Sequence, residues 1–454
     1  MAKHLCAICV ALLVLAGSFL FTASANAAAG PAAAPTTTVD VHTLPSMNPA
    51  PAPTFDVEKA TNAYLARVSG EARAKSDSYF EGGYWLILWD ALYAIAVSAI
   101  LLFPRFSAGM RNFAQSITRS RFWQVPIYAM LYVVITTVLT LPITIYEEFF
   151  REHQYGLQNQ NFLQWFGDFA TLFIVDFVGF TIVATLVYAA IRGSKRYWWI
   201  WGAAITIVFF IIGITIAPVY IAPLVNHYKP LREGELKQSI LSLARSEGIP
   251  VDNVYEFDAS KQTKRMSANV SGLFGTTRIS MNDNLLNRGS EREILAVLGH
   301  EMGHYVLSHV TTGIMMFGLV FLAGFAFVAW GFGFLTDLFG GVWDVRSVDD
   351  PAGLPVLMGL ATFFFLIATP ITNTITRTQE VQADIFGVNA ARQPDGFADA
   401  ALHLSEYRKL EPGALEEFVF YDHPSGRNRI HMMMVWKKEH LNDPDIKAGP
   451  VSPQ

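Results

Sequence analysis

Residues His300-Glu301-Met302-Gly303-His304 read H-E-x-x-H, and the segment that carries them has the marks of a helix. Ser290-Glu291-Arg292-Glu293 has the capping-box pattern at its start, and Ile294, Leu295, Val297 and Leu298 then recur at helical spacing. Four residues along a helix make about 400° of turn, so both imidazoles leave the same face. Two neutral imidazole nitrogens on one face can bind zinc, and a carboxylate beside the first histidine reaches the water on such a metal. Without a metal, Glu301 between two histidines on an otherwise apolar helix has no evident purpose.

A zinc site of this type needs a third protein ligand and leaves a fourth position open. The chain has two cysteines, Cys6 and Cys9, both in an N-terminal apolar segment, so a thiolate is not the expected ligand. His309 follows His304 by five residues, a spacing that points it off the metal face, and it is read as an interfacial or core histidine. A carboxylate remains. Arg377-Thr378-Gln379-Glu380-Val381-Gln382-Ala383-Asp384 offers Glu380 and Asp384 one helical turn apart. One could hold zinc while the other orients a ligand histidine; by residue pattern alone, a solvated acidic helix face accounts for the pair equally well.

Of the 454 residues, 52% are hydrophobic and 16% charged, with 34 Phe and 10 Trp. That composition is apolar for a soluble protein and points to a polytopic membrane protein. A net charge of −5 argues against a nucleic-acid partner, and no Gly-rich phosphate loop suggests a nucleotide.

In chain order, residues 1–27 combine Lys3, an apolar run and overlapping A-x-A patterns at Ala23–Ala27, which reads as a signal peptide or an uncleaved signal anchor. Residues 28–55 form an Ala/Pro/Thr-rich linker. Residues 56–225 make an N-terminal membrane region with a polar helical start and four spans, about Tyr84 to Phe103, Pro126 to Tyr146, Phe169 to Ile191 and Trp198 to Val225. Each can cross a hydrocarbon core of about 30 Å. Residues 226–310 are a polar catalytic block with a helix near Glu235–Glu247 and strands at Asn253–Phe257, Ser267–Ser271 and Thr277–Met281. Residues 311–376 form a membrane hairpin of two spans, which returns the chain to the side it left and so can bring Glu380 back to His304. Residues 377–454 are a helical C-terminal region.

From about Ser76 onward the chain resembles the type I CAAX prenyl endopeptidases, integral-membrane zinc proteases of the gluzincin class. The resemblance rests on H-E-x-x-H and on further stretches. These are Leu141-Pro142 with Glu152-His153-Gln154-Tyr155-Gly156, Ala217-Pro218 through Pro223-Leu224 and Pro230–Leu236, Arg377 with Glu380 and Asp384, and His423-Pro424 followed by Arg429. It implies a mainly α, polytopic helical membrane protein enclosing a chamber, with a small α+β zincin-type catalytic domain. It also implies one Zn2+ per chain on His300, His304 and Glu380, Glu301 as general base, Asp384 as orienter of a ligand histidine, and His423 near the substrate, where it would stabilise an oxyanion. Asn269, in the stretch Ser267-Ala268-Asn269-Val270, and Arg429 are the expected substrate-binding residues. The implied partners are a peptide or protein substrate and the lipid bilayer.

A zinc transporter, or a non-catalytic scaffold or chaperone, is the rival reading. Transport would place the ligands inside the membrane segments, whereas His300 and His304 stand in a polar block beside one, and an intact Glu301 argues for catalysis. Sidedness follows from the loops. Arg105, Arg111, Arg119 and Arg121, then Arg192, Lys195 and Arg196, fall in two loops that should stay cytoplasmic, and the acidic loop from Glu147 to Asp168 lies opposite. Counting spans onward puts the zinc block and Glu380 on the periplasmic or outer side of an inner (plasma) membrane. That separates the site from prenylated proteins of the cytosol and favours other peptides or membrane-protein segments as substrates.

Overall fold

The computed structural model describes residues 55–271 and 277–447. The expected signal and nearly all of the Ala/Pro/Thr-rich linker, residues 1–54, lie outside the described residues.

The helices are α1 (Val57–Leu65), α2 (Gly70–Leu102), α3 (Phe106–Ile117), α4 (Arg121–Ile145), α5 (Phe162–Gly193) and α6 (Trp198–Ile216), with π-helical turns at Tyr146–Arg151 and Ala217–Ile221. Then come β1 (Tyr228–Pro230), α7 (Glu235–Ser246), β2 (Val254–Phe257), β3 (Ala268–Ser271), β4 (Arg278–Asn282), α8 (Asp283–Arg288) and α9 (Glu291–Val306). The chain ends with α10 (His309–Trp343), α11 (Leu354–Ala391), α12 (Pro394–Leu404), α13 (Ala414–Phe420) and α14 (Gly426–Glu439).

Six helical stretches among the described residues are long and apolar enough to cross a membrane: Gly70–Leu102, Arg121–Gln154, Phe162–Gly193, Trp198–Leu224, His309–Trp343 and Pro351–Ala391. They cover the six expected spans to within a residue, and five of them run well past an expected end, because polar ends continue the helices out of the apolar zone. Trp85, Trp89, Val138, Ile174, Leu319 and Trp330 on these helices are more than half exposed. So large a display of apolar side chains suits lipid and not water. The protein is an integral membrane protein.

One end of the bundle is tied by buried charge. Arg111, 1% exposed, donates from Nη1 to Asp350 Oδ2 and from Nη2 to Asp344 Oδ2, both at 2.7 Å. Lys195 pairs with Asp349 at 3.3 Å, and Ser107 Oγ donates to Ala352 O at 2.7 Å. The stretch from Pro104 to Gln124, expected as a loop, therefore contains α3, whose buried face packs on α4 and on the tip of the α10–α11 hairpin. Its charges were conspicuous in sequence, and its short amphipathic pattern was masked by the spans on either side.

The other end carries the site. The sheet has order β1-β2-β4-β3, with β2 and β4 parallel and the outer pairings antiparallel, so β3 is an end strand. β1 was not expected; three residues containing a proline leave almost no pattern. One core unites the sheet with α7 and α9 through Ile240, Val254, Val270, Ile279, Leu298 and Met302. The stretch expected as an acidic loop from Glu147 is helical to Gln154. Beyond it the chain meets the catalytic block, with Asn159 N donating to Gln262 O at 2.9 Å and Arg265 Nη2 to Glu152 Oε2 at 2.8 Å. α1 packs on α12 and α14 at the same end, where Tyr64 Oη donates to Asp395 Oδ1 at 2.6 Å.

The contact that matters most is between α9 and α11, which cross at small residues. A Cβ on Gly387 would stand 2.6 Å from His300 N, one on Gly299 2.9 Å from Gly387 O, and one on Gly303 3.1 Å from Ala383 Cα. Backbone cannot yield as a flexible side chain does, so a methyl group at Gly387 must push the helices apart. Gly387→Ala is expected to destabilise the protein by about 1–3 kcal/mol through overpacking. Gly167→Ala, on α5 with nothing within 4 Å of its Cβ position, serves as the neutral control. Thermal unfolding in detergent with both variants checks this.

Candidate metal and catalytic site

α9 is fixed at its start by a complete capping box, Ser290 with Glu293, and Glu293 also meets His403 Nδ1 of α12 at 2.5 Å. The helix is thereby anchored two turns before His300. The hairpin of α10 and α11 then returns the chain, and the glycine crossing sets Glu380 against the two histidines.

His300 Nε2 lies 3.2 Å from Glu380 Oε2, His304 Nε2 lies 3.4 Å from Glu380 Oε1, and the two Nε2 atoms are 3.1 Å apart. All three side chains are buried. Tetrahedral zinc with ligand bonds of about 2.0–2.1 Å holds its ligand atoms about 3.3–3.4 Å apart, and the two imidazoles, each facing a different oxygen of Glu380, come together on that scale. Glu380 Oε2 is buried and takes no well-directed hydrogen bond, as is Glu301 Oε2. The donor set, two imidazoles and a carboxylate, suits a borderline-soft divalent ion. The residues fit a metal.

Electrostatics agree. Burial disfavours charge on His300, but the hydrogen bonds and charges of Asp384 and Glu380 outweigh it and push the imidazole up to about 10. The pocket thus favours a positive charge between the carboxylates, a role that a divalent ion fills better than a proton. His304 moves the other way, lowered by burial despite Glu380. Burial raises the Glu301 carboxyl well above its ordinary range, opposed by the nearby charge of His300.

The surrounding shell orients the ligands. His300 Nδ1 meets Asp384 Oδ1 at 2.8 Å. Arg429, from α14, donates to both oxygens of Asp384, with Nε to Oδ2 at 2.8 Å. Arg429, expected at the substrate, holds Asp384 with two of its nitrogens. The pairing was invisible in sequence because 45 residues separate the partners. His423 Nε2 comes within 3.3 Å of Glu380 Oε2, and His423 Nδ1 within 2.9 Å of Asp422 Oδ1. Burial opposes charge on Asp422, but His423 beside it holds the carboxyl below the usual carboxylate range. Arg377 donates to Glu417 O at 3.0 Å and also to Tyr421 O, which fixes the turn carrying Asp422 and His423.

Asn269 lies on β3, 4% exposed, with its Oδ1 accepting from Ser271 Oγ at 3.2 Å. His309 stands outside the cluster of His300, His304 and Glu380 but touches it: its Nδ1 stands 2.9 Å from His304 Nδ1. Asp422 and Gln382 were not singled out in sequence. Adjacency to His423 was a usable signal for the first. For the second, only its place inside the Glu380–Asp384 turn was.

Comparison with known proteins gives a consistent picture. Residues 230–437 match the family described as peptidase family M48, and residues 58–227 match the CAAX prenyl protease N-terminal region with five membrane helices. The chain is 31% identical to the uncharacterized metalloprotease YhfN of Bacillus subtilis, over 75% of this chain and 79% of that protein. It is 28% identical to CAAX prenyl protease 1 of Saccharomyces cerevisiae, over 65% of this chain and 69% of that one. The crystal structure of S. mikatae Ste24p superposes with a TM-score of 0.68 over 83% of this chain and 94% of that chain, at 22% identity, which shows a common fold.

If the triangle is the metal site, alanine at His300, His304 or Glu380 lowers the metal content of the purified protein well below one per chain. Elemental analysis checks each variant, and full occupancy in Glu380→Ala would remove Glu380 from the ligand set.

Proposed function

This chain belongs to peptidase family M48, and from that premise we propose that its metal is zinc, held by His300, His304 and Glu380, and that Glu301 is the general base of a membrane-embedded endopeptidase. The observation that carries the reading is the convergence of three buried metal-ligating side chains, His300, His304 and Glu380, with the unpartnered Glu301 Oε2 on the helix of the two histidines.

Zinc bound there supplies a Lewis acid and makes water acidic enough to attack a peptide carbonyl near neutral pH. Glu301 accepts the proton of the attacking water at its free oxygen and returns it to the leaving amine. Asp384, held by Arg429, keeps the proton of His300 on Nδ1, so that Nε2 offers a lone pair to the metal. Asp422 holds the ring of His423 through Nδ1, which turns Nε2 toward Glu380 and the position of a developing oxyanion. β3, at the end of the sheet and packed beside α9, offers backbone to an extended peptide, with Asn269 in that strand. Backbone recognition of that kind leaves side-chain selectivity weak.

Sidedness follows from where the cations gather. Arg105, Arg111, Arg119, Arg121, Arg192, Lys195, Arg196 and Arg346 all belong to the loops at the end of the bundle opposite the site. Lys and Arg in short loops mark the cytoplasmic side, and acids count little. The site then faces the periplasmic or outer side of the plasma membrane. CAAX prenyl protease is the printed name of several relatives, but prenylated C-termini are made and kept in the cytosol. The proposed substrates are peptides and membrane-protein segments exposed outside it.

Two measurements follow. Glu301→Gln retains zinc and loses cleavage of a quenched peptide, whereas His423→Ala retains zinc and lowers kcat by about 10²–10³. An effect of His423→Ala on KM alone would reduce its role to binding. For orientation, alkaline phosphatase fused after Gln454 is active, and a fluorescent protein that folds only in the cytosol stays dark at that position. The reverse pattern would turn the protein over and restore prenylated peptides as substrates.

A further inference from the structure

His309 is buried, 4% exposed, and makes two ring contacts that the mechanism above does not use: Nδ1 with His304 Nδ1 at 2.9 Å, and Nε2 with Gln382 Oε1 at 3.0 Å. Its position depends on a break in the chain. Were α9 to continue without interruption, five residues would turn His309 about 500° from His304, onto another face. Instead α9 ends at Val306 and Ser308 adopts a left-handed conformation, φ 55° and ψ 39°, before α10 begins at His309. A non-glycine residue in that region is strained and persists only where surrounding contacts over-determine it. One of them is Gln379 Nε2 donating to His309 O at 3.2 Å.

With a neutral His309 ring, the two contacts admit one set of protons. Gln382 Oε1 only accepts, so His309 Nε2 carries a hydrogen and its Nδ1, in the neutral ring, is bare. A bare Nδ1 at 2.9 Å must receive a hydrogen, so His304 Nδ1 is the donor. His304 Nε2 is then left with its lone pair, aimed at Glu380 and the metal position. A metal on Nε2 demands the same tautomer from the opposite end.

We propose that His309 is a positioning residue for the metal, fixing His304 in its ligating tautomer as Asp384 does for His300, with Gln382 fixing His309 in turn. His309 and Gln382 lie on the two helices of the membrane hairpin, α10 and α11, so one ligand's orientation is set by the hairpin itself. The inference rests on His304 being a ligand.

The test is zinc affinity of the full-length protein in detergent, by competition with a chelator. Phe at 309 keeps ring volume and removes the acceptor; Asn loses volume but places a carbonyl oxygen near the position of Nδ1. His309→Phe is expected to weaken zinc binding about 10–100-fold, and His309→Asn to stay within a few-fold of the native protein. A packing role would reverse that order, and wild-type affinity in His309→Phe would overturn the proposal. Gln382→Leu, at an exposed position away from the metal, is expected to weaken zinc several-fold and keeps the test decisive should a residue 309 variant fail to fold; unchanged affinity there with His309 variants unfolded would overturn the relay. His304→Ala separates the two claims: if it binds zinc normally, the ligand assignment fails, and if it loses zinc while His309→Phe does not, only the role of His309 fails.

Discussion

The close crossing of α9 and α11 is the constraint on which the site depends. Gly299, Gly303, Ala383 and Gly387 allow the backbones to meet, and Ala383 and Gly387 flank Asp384 on the same turn that follows Glu380. A larger residue at the crossing would separate the H-E-x-x-H face from the E-x-x-x-D face. Everything else serves that contact. The capping box sets where α9 begins, the membrane hairpin returns the chain to the same side, and the Arg111 pairs with Asp344 and Asp350 fasten the hairpin's far end.

Burying Glu301, Glu380 and Asp384 together is costly unless the charge is compensated. Arg429 compensates Asp384 through a two-point contact, while Glu380, buried with one oxygen lacking a well-directed hydrogen bond, has room for a further cation beside it. The site is therefore assembled around a positive charge. Around it, His300 Nδ1 meets a carboxylate and His304 Nδ1 an imidazole, so that both Nε2 atoms face Glu380.

Much of this was legible in sequence, for reasons that differ by element. Six spans announced themselves by length and hydropathy, and α9 by periodicity and its cap. β2, β3 and β4 stood out as short β-prone runs between turns. The ligand histidines could be read because four residues is one helical turn; the placing of Glu380 needed the hairpin and a family resemblance. What stayed hidden depends on tertiary contact. Arg429 looked free because Asp384 is distant in sequence, and α3 was lost among the arginines that surround it. The contact of His309 with the far side of His304 was hidden because helical arithmetic cannot foresee a left-handed Ser308.

The account stands or falls on one metal at one place. X-ray diffraction from the purified, full-length protein at the zinc absorption edge tests it most directly. A single anomalous peak per chain, within ligand distance of His300 Nε2, His304 Nε2 and a carboxylate oxygen of Glu380, is the result predicted. A peak elsewhere, or one from which Glu380 is turned away, would contradict it.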